Sequence, residues 1–99
     1  MAEELKNQGN EAFAKKDFDS AMNLYSQAIS LEPDNHVLYS NRAAAYLGQE
    51  KYNEAIEDAN VAIRLQPSFT KGYFRKATAL QGLGDLGGNT TYLCAMFAV

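Results

Sequence analysis

Five polar side chains in this 99-residue chain have the types and the spacing of a site for carboxylates. Lys6 and Asn10 are four residues apart, as are Lys71 and Arg75, so each pair shares one face of a helix. Asn41 precedes Arg75 by 34 residues, which is the period of an internal repeat. Lysine and arginine form charge-assisted hydrogen bonds to carboxylates, and asparagine amides donate to oxygen without adding charge. If one groove gathers them, these residues make a binding site for an acidic ligand.

The elements that must gather them follow the 34-residue period, which breaks off within its third copy. Gly9 aligns with Ala43 and Ala77, and Pro33 aligns with Pro67. Small residues mark the places where two helices approach closely, and a proline stops a helix because it cannot continue the hydrogen-bond ladder. The other matched pairs are Ala21 with Ala55, Ala28 with Ala62, Phe18 with Tyr52, Ile29 with Ile63 and Leu31 with Leu65.

This period predicts an all-α helical solenoid of antiparallel helix pairs, with about two and a half repeats. In such a solenoid the first helix of each pair lines a concave groove and the second forms the outer wall. Apolar residues at helical spacing, together with turn residues, predict the helices. They span about 2–14, 18–31, 36–48, 52–65, and 70 to a fading end at Gly82, Gly84 and Asp85. The predicted domain is 1–86, with repeat 1 at about 2–35, repeat 2 at about 36–69 and a partial repeat 3 at about 70–86.

Residues 87–99 lose the pattern, because they carry no charge and Asn89 stands where the earlier repeats have alanine. Three interpretations of this divergent apolar tail remain open. It is a short degenerate helix capped near Asn89, or a disordered apolar segment, or the chain is truncated or divergent after Leu86 through alternative splicing or a gene-model error. Each costs stability, because a terminal repeat needs a polar capping helix.

Composition excludes several classes of function. The net charge of −3 argues against a nucleic-acid binder. The single cysteine, Cys94, allows neither an internal disulfide nor a thiolate zinc site, so no metal is expected. The chain has a polar N-terminus without the apolar core of a signal peptide, and no stretch of the roughly 18 apolar residues that span a bilayer. We therefore expect a cytoplasmic protein that does not contact membranes.

Catalysis is not expected either. The one histidine, His36, and the one cysteine lie in unrelated segments, so no nucleophile–base pair is available. The glycine-rich segment 82–85 lacks the strand and the Lys-Ser/Thr of a phosphate-binding loop. Arg42 and Lys76 are predicted to be surface or packing residues. The sequence thus predicts a binding module that is not an enzyme and uses no cofactor.

The five polar residues match, position for position, the two-carboxylate clamp of tetratricopeptide-repeat (TPR) co-chaperones. The surrounding sequence resembles the first such domain of the heat-shock organising protein (Hop, or stress-inducible protein) family. The likeness covers residues 3 to 86 and ends where that family continues with a further amphipathic helix and a capping helix. The segments that carry it are Leu5-Lys6-Asn7-Gln8-Gly9-Asn10, Asn35-His36-Val37-Leu38-Tyr39-Ser40-Asn41-Arg42 and Lys71-Gly72-Tyr73.

The resemblance implies a co-chaperone adaptor that binds the C-terminal Glu-Glu-Val-Asp of cytosolic heat-shock chaperones, with the seventy-kilodalton class favoured over the ninety-kilodalton class. It implies that Arg75 contacts a glutamate or a backbone carbonyl of the peptide, and that Ala44 leaves room for the peptide valine. The residues implied to grip the terminal aspartate are Lys6, Asn10, Asn41 and Lys71. We expect a monomer unless the apolar tail drives self-association.

Two other hypotheses stay open. In one, the chain is a truncated TPR scaffold whose third repeat is too loose to hold Lys71 and Arg75, so that no clamp functions. In the other, it is the adaptor portion of a larger enzyme, separated from its catalytic domain. Binding of an acidic peptide tests the first hypothesis, and the longer gene product tests the second.

Overall fold

The structure, a computed structural model, describes the backbone of residues 1–87 and the side chains of residues 1–84. This part of the chain forms five α-helices and contains no strand: α1 (Ala2–Ala14), α2 (Phe18–Leu31), α3 (His36–Gly48), α4 (Tyr52–Leu65) and α5 (Thr70–Gly87). The bounds predicted for the first four helices are confirmed. None of the described helices is both long and apolar enough to cross a membrane.

The helices pack in the order expected of a solenoid. α1 pairs with α2 and α3 pairs with α4, while α2 also packs on α3 and α4 packs on α5. α3 contacts both α1 and α5, so the first helices of successive repeats lie side by side. The all-α fold of about two and a half repeats is therefore confirmed. Residues 88–99 lie outside the described residues, and with them the three interpretations of the tail.

The predicted end of the fifth helix was wrong. We expected α5 to fade at residues 82–85, but it continues through Gly82, Gly84 and Asp85 to Gly87. Each glycine lowers the stability of a helix by about 1 kcal/mol relative to alanine, which weakens the helix without ending it. Unlike the segments after α2 and α4, this segment carries no proline that would break the hydrogen-bond ladder.

The turns that end α1 and α3 are the same motif, placed 34 residues apart. Lys16 and Glu50 adopt left-handed backbone conformations, with φ of 63° and 60°. The next amide in each turn closes the helix, since Asp17 donates to the Ala12 carbonyl and Lys51 donates to the Tyr46 carbonyl, both at 2.9 Å. These bonds form Schellman caps, which satisfy carbonyls that the helix leaves unpaired.

Alanines occupy the interface between the helices. The repeat-matched residues Ala21, Ala28, Ala55 and Ala62 are completely buried. Their small side chains let neighbouring helices approach closely, as the 34-residue pattern predicted.

The two proline turns make the same contact with the helix that follows each of them. Tyr39 donates to the Pro33 carbonyl at 2.8 Å, and Tyr73 donates to the Pro67 carbonyl at 2.9 Å.

A buried ion pair joins α3 to α4 within the second repeat, and one further hydrogen bond of its arginine reaches α2 of the first repeat. Arg42 of α3 donates from Nε to Asp58 Oδ2 at 2.7 Å and from a terminal nitrogen to Asp58 Oδ1 at 2.8 Å. Its other terminal nitrogen donates to Ser26 Oγ of α2 at 3.1 Å. The Asp58 side chain is only 6% exposed. Arg42 is thus a packing residue that contacts side chains of two other helices. This was one of the two roles, surface or packing, that were predicted for it.

Candidate functional site

The two asparagines of the predicted site meet across α1 and α3. Asn41 donates from Nδ2 to Asn10 Oδ1 at 3.4 Å, although the two residues are 31 positions apart in the chain. This contact depends on the side-by-side arrangement of α1 and α3, and therefore on the first repeat packing against the second. It places two side-chain amides together on the inner helices.

A third side chain, Tyr25 of α2, completes this contact. Its hydroxyl donates to Asn10 Oδ1 at 2.6 Å, and the residue is only 2% exposed. Asn10 Oδ1 therefore accepts two hydrogen bonds from the protein. Since an amide group has an acceptor at one end and two donors at the other, the Asn10 Nδ2 hydrogens remain available to a ligand.

Tyr25 is not among the site residues predicted from the sequence. A signal was present in the repeat, because Tyr25 aligns with the small residue Ala59 of the second repeat. Gly9, which lies against the Tyr25 ring, aligns with the larger residue Ala43. The first repeat therefore has a larger side chain at one position and a smaller one at the position that contacts it. Such a paired change indicates that the two helices of the first repeat pack differently from those of the second.

Arg75 of α5 belongs to the same region, because its charge acts on Tyr25. Burial raises the pKa of the Tyr25 hydroxyl above its ordinary value, and the positive charge of Arg75 opposes that rise. Burial likewise lowers the pKa of the Arg75 guanidinium, which nevertheless remains charged in proteins. Arg75, Tyr25 and Asn10 are therefore electrostatic or hydrogen-bonded neighbours contributed by three different helices.

Arg75 Nε is buried and has no hydrogen-bond partner among the described residues. The guanidinium carbon lies 5.7 Å from the centroid of the Phe74 ring, and 61% of Phe74 is exposed. A buried donor without a partner costs about 1–3 kcal/mol, and more if it is charged. An anionic or carbonyl oxygen that accepted from this nitrogen would remove that cost.

The two lysines lie one helical turn before these groups. Lys6 Nζ is 3.1 Å from Glu3 Oε2, so this lysine is engaged with a carboxylate of its own helix. Lys71 is exposed on α5, and no ion pair joins it to the other predicted site residues in the described part of the chain. The structure thus brings Asn10 and Asn41 into contact and leaves the lysines at the margin.

Ala44 follows Asn41 by three residues on α3 and is 6% exposed. Little of its methyl group is accessible, so its assignment to a pocket for a peptide side chain remains a prediction. Within residues 1–84, no group of three or more metal-ligating side chains converges. The site is built from amides, cations and one phenol, which suits the recognition of carboxylates.

Comparisons with known proteins agree on the repeat. Residues 9–50 match the family described as TPR repeat, and residues 36–69 match the family described as tetratricopeptide repeat. The chain is 51% identical to the heat shock protein sti1 homolog of Schizosaccharomyces pombe over 86 residues, which are 87% of this chain and 15% of that protein. It is 48% identical to human serine/threonine-protein phosphatase 5 over 84% of this chain and 17% of the phosphatase.

Solved structures extend the likeness to domains with bound peptides. The second TPR of Spaghetti (RPAP3), bound to the HSP90 peptide SRMEEVD, superimposes with a TM-score of 0.86 at 33% identity, covering 98% of this chain and 86% of that one. The TPR2B domain of yeast Sti1 in complex with pHsp70 gives a TM-score of 0.82 at 39% identity, covering 88% and 70% of the two chains. The chain spans less than a fifth of the length of the curated relatives described above.

Proposed function

The chain belongs to the tetratricopeptide-repeat family, and we propose that its groove is a co-chaperone adaptor site for the C-terminal acidic peptide of cytosolic heat-shock chaperones. The observation that carries the proposal is the joining of Asn10, Asn41 and Tyr25 near Arg75, whose Nε has no partner among the described residues. Similar domains of RPAP3 bind peptides that end in Glu-Glu-Val-Asp. The amide and guanidinium donors at this site support the same ligand chemistry here.

The proposed mechanism anchors an extended peptide by its last residue. The free Nδ2 hydrogens of Asn10 and the second Nδ2 hydrogen of Asn41 donate to the terminal aspartate, which carries a main-chain and a side-chain carboxylate. The terminal aspartate also contacts the ammonium groups of Lys6 and Lys71, while Arg75 contacts a glutamate or carbonyl oxygen farther along the peptide. Ala44 leaves room for the valine.

The energetics favour moderate affinity. An extended peptide loses conformational freedom when it binds, which offsets part of the gain from a few strong contacts. Removing one cation of the clamp should cost roughly 1–3 kcal/mol, or about 5- to 150-fold in the dissociation constant. Affinity should also fall as salt concentration rises, because a Debye length of about 8 Å at physiological ionic strength screens part of the attraction.

Both chaperone classes remain ligands under this proposal. Complexes of Sti1 domains with pHsp70 and with pHSP90 resemble this chain equally well, with TM-scores of 0.82 and 0.83. A preference for the seventy-kilodalton class therefore rests on the sequence resemblance to the first Hop domain. A cytosolic location follows from the same proposal, since its partners are cytosolic chaperones.

Fluorescence anisotropy with a labelled peptide ending in Glu-Glu-Val-Asp tests the proposal. We expect saturable binding of the free-acid peptide, and loss of most of that binding for the C-terminal amide and for Arg75→Ala. Arg64→Ala is the matched control, because Arg64 is an exposed arginine in the last turn of α4. Equal binding of acid and amide, or no binding, would contradict the proposal and favour a truncated scaffold without a working clamp.

A second candidate is the adaptor portion of a larger enzyme. The observation that favours it is the 48% identity to serine/threonine-protein phosphatase 5, in which the matched region is 17% of the protein. Under this alternative the groove would bind the same kind of peptide, while a separate domain would carry catalysis. The complete transcript distinguishes the two, because only the enzyme would encode a phosphatase-like or other catalytic domain.

A further inference from the structure

The Tyr25 hydroxyl and the Asn41 amide both contact the oxygen end of the Asn10 amide. Both of the groups that contact Asn10 Oδ1, the Tyr25 hydroxyl at 2.6 Å and Asn41 Nδ2 at 3.4 Å, are donors in these bonds. With both of these bonds on the oxygen of the amide, the nitrogen end is left for a ligand. If the amide turned over, its N–H groups would oppose the Asn41 N–H groups, and its oxygen would face the negative ligand.

On the premise that the groove binds carboxylates as proposed above, we propose that Tyr25 is a positioning residue that orients the Asn10 amide for donation to the bound carboxylate. Tyr25 lies on an outer helix and is 2% exposed, so it acts through Asn10 and does not itself contact the peptide. Under this proposal the clamp depends on the buried Tyr25 as well as on the residues that contact the peptide.

Packing holds the Tyr25 hydroxyl in place. The ring lies in a buried cluster with Ala21 and Ala45, against Phe13 and Met22. On its other side the ring lies against Gly9, where there is no room for a β-carbon. A ring enclosed in this way presents its hydroxyl at a fixed point, so the hydrogen bond to Asn10 restrains the amide without further loss of freedom on binding.

The hydroxyl also stays protonated, as its role requires. Burial raises the pKa of Tyr25 from the ordinary value near 10, despite the opposing charge of Arg75. A neutral phenol can donate to the Asn10 oxygen, whereas a phenolate could only accept. The donor is therefore present at neutral pH, where the peptide carboxylates are ionised.

The repeat itself gives an independent argument. In the first repeat, Gly9, Asn10 and Tyr25 occur together, and in the second repeat all three aligned positions are alanine: Ala43, Ala44 and Ala59. The amide, the tyrosine that contacts it and the glycine beside the tyrosine therefore change together between the two repeats. Generic helix packing explains the alanines but does not require the tyrosine hydroxyl.

Tyr25→Phe tests the proposal, because it removes the hydroxyl and keeps the ring. In the anisotropy assay we expect the affinity for the free-acid peptide to fall about 3- to 10-fold, the effect of one hydrogen bond. Tyr39→Phe is the matched control, since it removes a hydroxyl that donates to the Pro33 carbonyl at 2.8 Å. It should leave the affinity within about twofold, which is the scale of a surface substitution.

A double-mutant cycle separates positioning from stability. In the Asn10→Ala background, Tyr25→Phe should cause no further loss of affinity, because the amide that it positions is gone. Thermal unfolding of each variant shows whether it is folded at the assay temperature. The proposal would be overturned if Tyr25→Phe bound the peptide as tightly as the unmodified protein. It would also be overturned if Tyr25→Phe lowered the affinity equally with Asn10 present and in the Asn10→Ala background.

A measurement without peptide distinguishes failure of this proposal from failure of the proposed function. The order parameter of the Asn10 side-chain amide, from nitrogen-15 relaxation, should fall in Tyr25→Phe and stay unchanged in Tyr39→Phe. If it does not fall, Tyr25 does not position Asn10. If the unmodified protein binds acid and amide peptides alike, the proposed function fails, and with it the ligand-directed part of this proposal.

Discussion

Gly9 of α1 lies directly against the ring of Tyr25 of α2. A β-carbon at position 9 would be 2.6 Å from Tyr25 Cε1 and 2.8 Å from Cδ1, closer than non-bonded carbons approach one another. The next residue along α1 is Asn10, whose amide accepts from the hydroxyl of that same ring. The missing side chain at position 9 therefore lets the ring approach far enough to reach the candidate site.

Gly9→Ala should destabilise the protein, although alanine is the better helix former by about 1 kcal/mol. Tyr25 is 2% exposed and packs within a buried cluster, and overpacking typically costs about 1–3 kcal/mol. We expect weaker peptide binding as well, since the displaced ring would move its hydroxyl away from Asn10. Urea unfolding and anisotropy measure the two effects. In a Tyr25→Ala background the same substitution should stabilise; stabilisation in the presence of Tyr25 would contradict the steric argument.

Glu3→Gln should strengthen binding of the acidic peptide. Glu3 pairs with Lys6 at 3.1 Å and competes with the ligand for that ammonium group. Exposed ion pairs contribute about 0.2–1 kcal/mol, so we expect a gain of up to about fivefold that shrinks at high salt. Titration of the labelled peptide at two salt concentrations measures it.

Glu4→Gln controls for net charge in that experiment, because it removes the same charge from the exposed neighbouring position. An equal gain from Glu4→Gln would mean that long-range repulsion, and not the pairing of Glu3 with Lys6, limits binding.

Asp58→Ala should destabilise the domain by about 2–4 kcal/mol, because it leaves Arg42 without the partner of its buried charge. The Asp58 side chain is 6% exposed and the Arg42 side chain is 21% exposed, so the arginine recovers part of its hydration. Urea unfolding measures the loss. Glu57→Ala, at the exposed position one residue earlier, should change stability by no more than about 0.5 kcal/mol. A loss of that small size for Asp58→Ala would show that the ion pair does not stabilise the packing of α3 on α4.

Lys16→Gly should stabilise the protein by about 1 kcal/mol. Lys16 has a φ of 63°, a left-handed conformation that costs a residue with a β-carbon about 1–2 kcal/mol and costs glycine little. Part of that gain is lost to the greater freedom of glycine in the unfolded chain. Lys15→Gly removes an identical charge at a φ of −86° and should give no gain. Denaturation midpoints compare the two, and equal shifts would mean that backbone strain at Lys16 is absent.

The sequence by itself determined the repeat and most of the helices. Proline at 33 and at 67 acts on the backbone within a few residues of where it stands. Such local effects can be predicted from the order of residues, which is why the first four helices agree with prediction. The end of α5 did not agree, because glycines only weaken a helix and the outcome depends on the surrounding structure.

Part of the candidate site could likewise be predicted from the sequence, and part of it depended on the tertiary structure. Its residue types and their common register were visible in the sequence, because Asn41 and Arg75 are one period apart. Only the tertiary structure decided that Tyr25 holds the Asn10 amide, that Arg75 Nε is buried without a described partner, and that Arg42 pairs with Asp58. These contacts join residues on different helices, so they depend on packing distances that helical periodicity does not encode. A repeat predicts which helices become neighbours, and side-chain packing then decides which polar atoms are satisfied within the protein and which remain for a ligand.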